Sequence, residues 1–235
     1  MYKPLFHLSV ALLNSYVLWY DQKYVELPFP TKEMGELPLK ARSVFLTMWC
    51  LLLQTVYHYV SFLCDFLVET SRTKRPVMHK IRDAMFAVAF PLAIFVAAVF
   101  WSIYLVDREL IFPESLDKIF PPFFNHVMHT TVAVFIVVDL FITYREYPTR
   151  SVGFGLFMSI FLAYLVWTFY IFVACKAWVY PVFDHFTWPQ RILFIAFSFV
   201  TGASFYIAGE KVNSLVCPKR TKQKNVMKNG KSKHS

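Results

Sequence analysis

The sequence predicts an all-α polytopic membrane protein, a bundle of about six transmembrane helices. Three observations carry this expectation. Of 235 residues, 57% are hydrophobic and only 17% charged, where a soluble domain carries about a quarter charged residues. Mean hydropathy is +0.46. The apolar residues also come in blocks of about 20, the length a helix needs to cross a bilayer.

Taken in order, the first block, 5–20, is short and contains Asn14. Its position resembles that of a signal peptide, but Lys3 is its only basic flank and a small-x-small cleavage site is missing, so an uncleaved first helix is expected. Five longer blocks follow at about 44–68, 82–106, 123–144, 153–175 and 190–208. Pro91 interrupts the third span, which membrane helices tolerate. The connections are too short for a soluble domain, so residues 1–210 are expected to form one six-helix transmembrane domain. Residues 211–235 are too polar to pack and are expected to form a disordered basic tail. Cys50, Cys64, Cys175 and Cys217 lie in or beside apolar spans or in the tail, a distribution of buried small side chains and not of a disulfide framework.

Charge sets an orientation. With six spans, the N-terminus, the segment 69–82, the segment 145–152 and the C-terminal tail together hold 16 of the 24 Lys and Arg residues. Basic residues near span ends favour the cytoplasm, so both termini are expected in the cytosol. The tail reads as a solvated basic segment attracted to anionic headgroups. Without aromatic stacking groups or a folded platform there, nucleic-acid binding is excluded. Lys231 and Lys233, third and fifth from the C-terminal end, resemble a dilysine retrieval signal, which makes the endoplasmic reticulum the expected address.

Polar side chains inside spans point to a site. In the second span Thr47, Gln54, His58, Ser61 and Asp65 follow one another by seven, four, three and four residues, which is one helical stripe. In the fourth, Asn125, His129 and Asp139 share a face with Val132 and Ile136. Both helices run inward from the lumen. At 1.5 Å per residue, Thr47 and His129 lie within about 10 Å of the luminal face. A hydroxyl and an imidazole at one depth are the elements of a nucleophile–base pair, provided the helices are neighbours. The alternative for Thr47 is a bond to the carbonyl one turn back. His126 and His129, at i and i+3, have too few further ligands for a metal centre. Asp65, Asp83, Asp139 and Glu210 are expected in ion pairs with Arg82, Arg145 or Lys211. Phosphate loops and GxSxG elbows are missing, and so are the paired broken helices of a transporter.

Several motifs resemble those of the androgen-induced protein one family, which includes an androgen-dependent regulator of tissue factor pathway inhibitor. They are Ala41-Arg42 through Thr47 with Gln54-Thr55, Phe90-Pro91, Phe100-Trp101, and Asp107 through Pro113. They continue with Asn125-His126-Val-Met-His129-Thr130, Trp178-Val-Tyr180-Pro181-Val and Gly209-Glu210-Lys211-Val-Asn213. The resemblance covers nearly the whole chain except the tail. It departs at Ser43-Val44, where an aromatic residue and Lys are usual, and at Asp139, where Glu is common.

The resemblance implies a multi-pass hydrolase of fatty acid esters of hydroxy fatty acids, with Thr47 as nucleophile and His129 as its partner, and no cofactor. For such a reaction Asn125, one turn before His129, is the expected oxyanion donor. Arg42, just outside the second span, is the expected anchor for the substrate carboxylate unless it faces headgroups. The alternative function is a non-enzymatic lipid-binding or regulatory membrane protein, in which Thr47 and His129 only hydrogen-bond across helices.

Overall fold

A computed structural model describes residues 2–66 and 76–217. Lys231, Lys233 and the tail beyond Cys217 lie outside the described residues. Six long helices carry the fold: α1 (Tyr2–Tyr24), α2 (Leu46–Cys64), α3 (Val77–Val106), α4 (Pro122–Ile142), α5 (Arg150–Cys175) and α6 (Trp188–Val216). Among the described residues the other elements are short helical turns, with no strand. Helices α2 to α6 are long and apolar enough to cross a membrane. The last continues to Val216, past the boundary at 210 expected from composition.

Helix α1 is longer than the apolar block at 5–20 implied. Its 23 residues rise about 34 Å. Its lower hydropathy comes from His7, Asn14 and Asp21, spaced by seven along one face and all buried. They face the bundle, with α1 packed along α2.

Helix α3 is the centre of the bundle and packs against α2, α4, α5 and α6. Its middle, from Phe86 to Val96, is buried almost without break apart from Ile94, as expected of a helix surrounded on all sides. Helix α6 approaches it closely at Gly209, where a Cβ would lie 2.6 Å from the Phe90 ring. One heptad earlier, a Cβ at Gly202 would lie 2.9 Å from Phe161 of α5. Buried Tyr206 sits between these two glycines. Small residues at such spacing let membrane helices approach closely, which is a main source of their cohesion in lipid.

At one end of the bundle, α1, α2 and α4 are joined by a buried polar network. His7 Nδ1 meets Asp65 Oδ2 at 2.7 Å and His7 Nε2 meets Asp139 Oδ1 at 2.9 Å. Carboxylates only accept, so both ring nitrogens donate. Arg145 donates to Asp139 Oδ2 at 2.8 Å and lies over the Phe86 ring. The Tyr57 hydroxyl donates to the same carboxylate oxygen. Asp139 with Arg145 and Asp83 with Arg82 are ion pairs of the expected kind. Asp65 differs, because α1 brings it a histidine. Glu210 differs too: it pairs with Arg150, one element earlier in the bundle.

The opposite end is built from the start of α2, the end of α3, the start of α4 and the segment between α5 and α6. All four cysteines are buried and unbridged.

Candidate active site

The first turn of α2 is set up by an unusual approach. Leu39, Lys40 and Ala41 all have positive φ (57°, 50° and 61°) without a glycine among them. Left-handed conformations cost about 1–2 kcal/mol per residue. The turn is held by hydrogen bonds from Ala41 N–H to Leu37 C=O at 2.8 Å and from Arg42 N–H to Leu39 C=O at 2.9 Å. Burial of Ala41, Arg42 and Val44 locks it in place. Sparsely populated backbone of this kind collects where a site demands a particular geometry. Here it delivers Thr47 as the second residue of α2.

Thr47 Oγ1 lies 3.2 Å from His129 Nε2. The imidazole is held on two other sides. Its Nδ1 donates to the Asn125 side-chain oxygen at 2.7 Å and to the Asn125 carbonyl at 3.0 Å. Since the carbonyl can only accept, the proton sits on Nδ1, whichever way the Asn125 amide is turned. That leaves Nε2 as an acceptor aimed at the Thr47 hydroxyl. The Phe100 ring stacks on the imidazole face at 3.5 Å between centroids and 9° between planes. His129 itself is in a π turn, Val127–Thr131, set inside α4. Such bulges re-register a helix locally and recur at functional sites.

The ordinary fate of a threonine in a membrane helix is not open to Thr47, because as the second residue of α2, after an extended Phe45, it has no helical turn behind it to bond back to. Four residues earlier the Ser43 carbonyl accepts the indole N–H groups of Trp49 at 2.8 Å and Trp167 at 2.9 Å, which ties this approach both to α2 and to α5. The Thr47 hydroxyl is left to His129. By contrast Thr55, one helical stretch further on, donates to Leu51 C=O at 2.7 Å in the usual way.

Thr47 and His129 open onto a cavity of about 220 Å³. Phenylalanines dominate its wall, among them Phe95, Phe100, Phe161 and Phe199, with Tyr164 and Tyr180 as polar members near Thr47. An enclosed apolar cavity of about 150 Å³ suffices to bind benzene, so this one accepts a larger apolar group beside the Thr47 hydroxyl.

Two residues expected to face the substrate are placed otherwise. Asn125 sits behind the imidazole, on the side away from Thr47, and is outside the cavity wall. Its place is that of the third group which orients a catalytic base. Arg42 does reach the cavity wall, but it is 2% exposed and each of its three guanidinium nitrogens donates a hydrogen bond within the protein. It donates to Asp21 Oδ2 at 2.7 Å, Val25 C=O at 2.8 Å and Lys40 C=O at 3.1 Å. With its charge offset by Asp21 and its side chain buried, it does not face the headgroups. His126 turns away from His129, stacking on Trp101 and facing Thr130. Among the described residues, no three His, Cys, Asp or Glu side chains converge on one point as metal ligands would.

Sequence reasoning passed over Phe100, Trp49, Trp167, Tyr164 and Tyr180. Phe100 and Tyr180 lie in motifs that the sequence singled out, and that was the available signal. The indoles carried none, because their partner is a backbone carbonyl.

Comparison with known proteins places these residues in context. A family model described as FAR-17a/AIG1-like protein matches residues 2–214. The androgen-dependent TFPI-regulating protein of Rattus norvegicus is 37% identical over 174 residues, covering 73% of this chain and 76% of that protein. The androgen-induced gene 1 protein of Homo sapiens is 32% identical over 220 residues, covering 89% of this chain and 90% of that one. No solved structure matches.

Proposed function

Because the chain belongs to the FAR-17a/AIG1-like family, we propose that it is a membrane-embedded threonine hydrolase. Its substrates would be fatty acid esters of hydroxy fatty acids, cleaved to a fatty acid and a hydroxy fatty acid. The observation that carries this is the Thr47–His129 contact at 3.2 Å, with the imidazole proton held on the far nitrogen by Asn125. An oriented base beside a hydroxyl at the wall of an apolar cavity is the arrangement that acyl transfer requires.

The proposed reaction starts from the Thr47–His129 contact. His129 Nε2 takes the Thr47 hydroxyl proton as Oγ1 bonds to the ester carbonyl carbon, and the carbonyl π electrons move onto oxygen. Collapse of this tetrahedral species breaks the bond to the alcohol oxygen. That oxygen takes the proton from His129 and leaves as the hydroxy fatty acid. Water, deprotonated by His129, then adds to the acyl carbonyl carbon; collapse breaks the acyl–Oγ1 bond, Thr47 Oγ1 takes the proton back from His129, and the fatty acid is released. A substrate with two acyl chains partitions into lipid, which suits a site between helices. The reaction needs no cofactor.

The same proposal places both termini in the cytosol and the Thr47 end of the bundle near the lumen, as the basic residues favour. It assigns residence in the endoplasmic reticulum to the Lys231 and Lys233 pair. A Lys231→Ser/Lys233→Ser variant that keeps the wild-type location would remove that assignment.

The test is hydrolysis of such a lipid ester in membranes carrying equal amounts of wild type, Thr47→Ala and His129→Ala. Removing the base should lower turnover by about 10²–10⁴-fold, and removing the nucleophile should abolish it. Full activity in either variant contradicts the dyad. Lipid binding by the wild type without turnover supports the non-enzymatic alternative instead.

A further inference from the structure

We propose that Tyr180 supplies the hydrogen bond that stabilises the oxyanion formed when Thr47 attacks the ester, an inference resting on the hydrolase proposed above. The motif Trp178-Val179-Tyr180-Pro181 is far from Thr47 in sequence, yet the fold carries it to the first turn of α2. There the Leu46 amide donates to the Tyr180 hydroxyl oxygen at 3.3 Å. Leu46 is the residue before the nucleophile, and Thr47 and Tyr180 line the same cavity.

Two tyrosines meet at this point, and their protons have different uses. Tyr164 donates its single hydroxyl proton to Val44 C=O at 2.8 Å. Tyr180 accepts from Leu46, and its oxygen lies 3.3 Å from that of Tyr164. Among the described residues no carbonyl or carboxylate takes the Tyr180 proton. The Tyr180 proton faces only the neutral Tyr164 oxygen, 3.3 Å away, an acceptor it can exchange for a substrate oxygen that gains negative charge, and accepting the Leu46 N–H polarises it for that use. Burial pushes the Tyr180 phenol above its ordinary range, so it stays protonated at neutral pH.

The surroundings favour the same place for negative charge. Thr47 is the second residue of α2, where amides lack intrahelical acceptors and the helix dipole is positive. Among the described residues the Thr47 amide has no acceptor. Tyr180 is also rigidly held, as a preorganised donor must be. Trp178 stacks on Phe172 at 4.0 Å between centroids, with the Arg191 guanidinium over its ring at 5.0 Å. The Tyr180 ring packs against Phe45.

The experiment is steady-state hydrolysis of a 16-carbon acyl ester of an 18-carbon hydroxy fatty acid in vesicles, by the full-length chain. Tyr180→Phe keeps the ring and removes the donor. It should lower kcat by about 10²–10³-fold with KM within about twofold, while Tyr164→Phe loses much less. A wild-type kcat for Tyr180→Phe, or a loss expressed in KM alone, overturns the proposal. Should Tyr180→Phe not accumulate, 2,3-difluorotyrosine at position 180 preserves packing and acidifies the phenol. A new alkaline fall in kcat supports the donor role, and an unchanged pH profile overturns it. Thr47→Ala, assayed alongside, separates the two proposals. If it stays active the hydrolase proposal fails, and if only Tyr180→Phe stays active this one fails.

Discussion

The Ser43 carbonyl accepts the Trp167 indole N–H at 2.9 Å, across the gap between the approach to α2 and the middle of α5. That bond, with the one from Trp49 at 2.8 Å, ties the approach to α5 and to the first turn of α2. Trp167→Phe removes the tie to α5 and loosens the backbone that sets Thr47 against His129. One hydrogen bond is worth about 1 kcal/mol, so kcat should fall about fivefold with KM unchanged. Kinetics of Trp167→Phe in membranes checks this. An unchanged kcat would mean that this tie does not position Thr47.

Asn125 orients His129 through its side-chain oxygen at 2.7 Å, but its backbone carbonyl also accepts, at 3.0 Å. Asn125→Ala should therefore lower kcat by only about 10–100-fold, less than loss of His129, because one acceptor survives any substitution. Asn125→Asp retains an acceptor and should keep more activity than Asn125→Ala. The opposite order would show that Asn125 acts otherwise than by orienting the imidazole.

Asp139 is fully buried and serves His7, Tyr57 and Arg145 together. Asp139→Ala leaves two buried cations without their shared partner. Breaking a buried ion pair costs about 3–5 kcal/mol, so the variant should unfold in detergent well below the wild-type temperature. Thermal melting of the purified protein measures the shift. A melting temperature within a degree or two of wild type would mean that the network carries little stability.

Gly209 and Gly155 make a matched pair. A Cβ at Gly209 falls 2.6 Å from the Phe90 ring, whereas at Gly155 nothing lies within 4 Å. Gly209→Ala should destabilise the α3–α6 contact by about 1–3 kcal/mol through overpacking. Gly155→Ala should be neutral or slightly stabilising, as alanine is the better helix former. Detergent stability of the two variants, compared side by side, tests this.

The sequence made the bundle legible because lipid leaves a helix few options: apolar blocks of about 20 residues and one polar stripe per helix are visible in one dimension. The stripe on α2 held up, with Gln54, His58 and Ser61 all buried. The shared depth of Thr47 and His129 was also readable, since rise per residue is fixed. Their contact was not, because it depends on which helices are neighbours. Arg42 shows the same gap. Its partner Asp21 lies on α1, beyond the apolar block at 5–20, and an arginine beside a span reads as headgroup-facing until α1 is placed against it. Asn125 was noticed at the right depth and given the wrong direction, because the π turn that folds His129 back onto it leaves no trace in residue spacing.

The most direct test of the central claim is covalent trapping at Thr47. Membranes carrying the wild type are treated with a lipid-like fluorophosphonate, and the modified residue is located by peptide mass spectrometry. The expected result is a single adduct on Thr47, absent from Thr47→Ala and greatly slowed in His129→Ala. An adduct on any other residue, or undiminished labelling of Thr47→Ala, would contradict the assignment of Thr47 as the nucleophile.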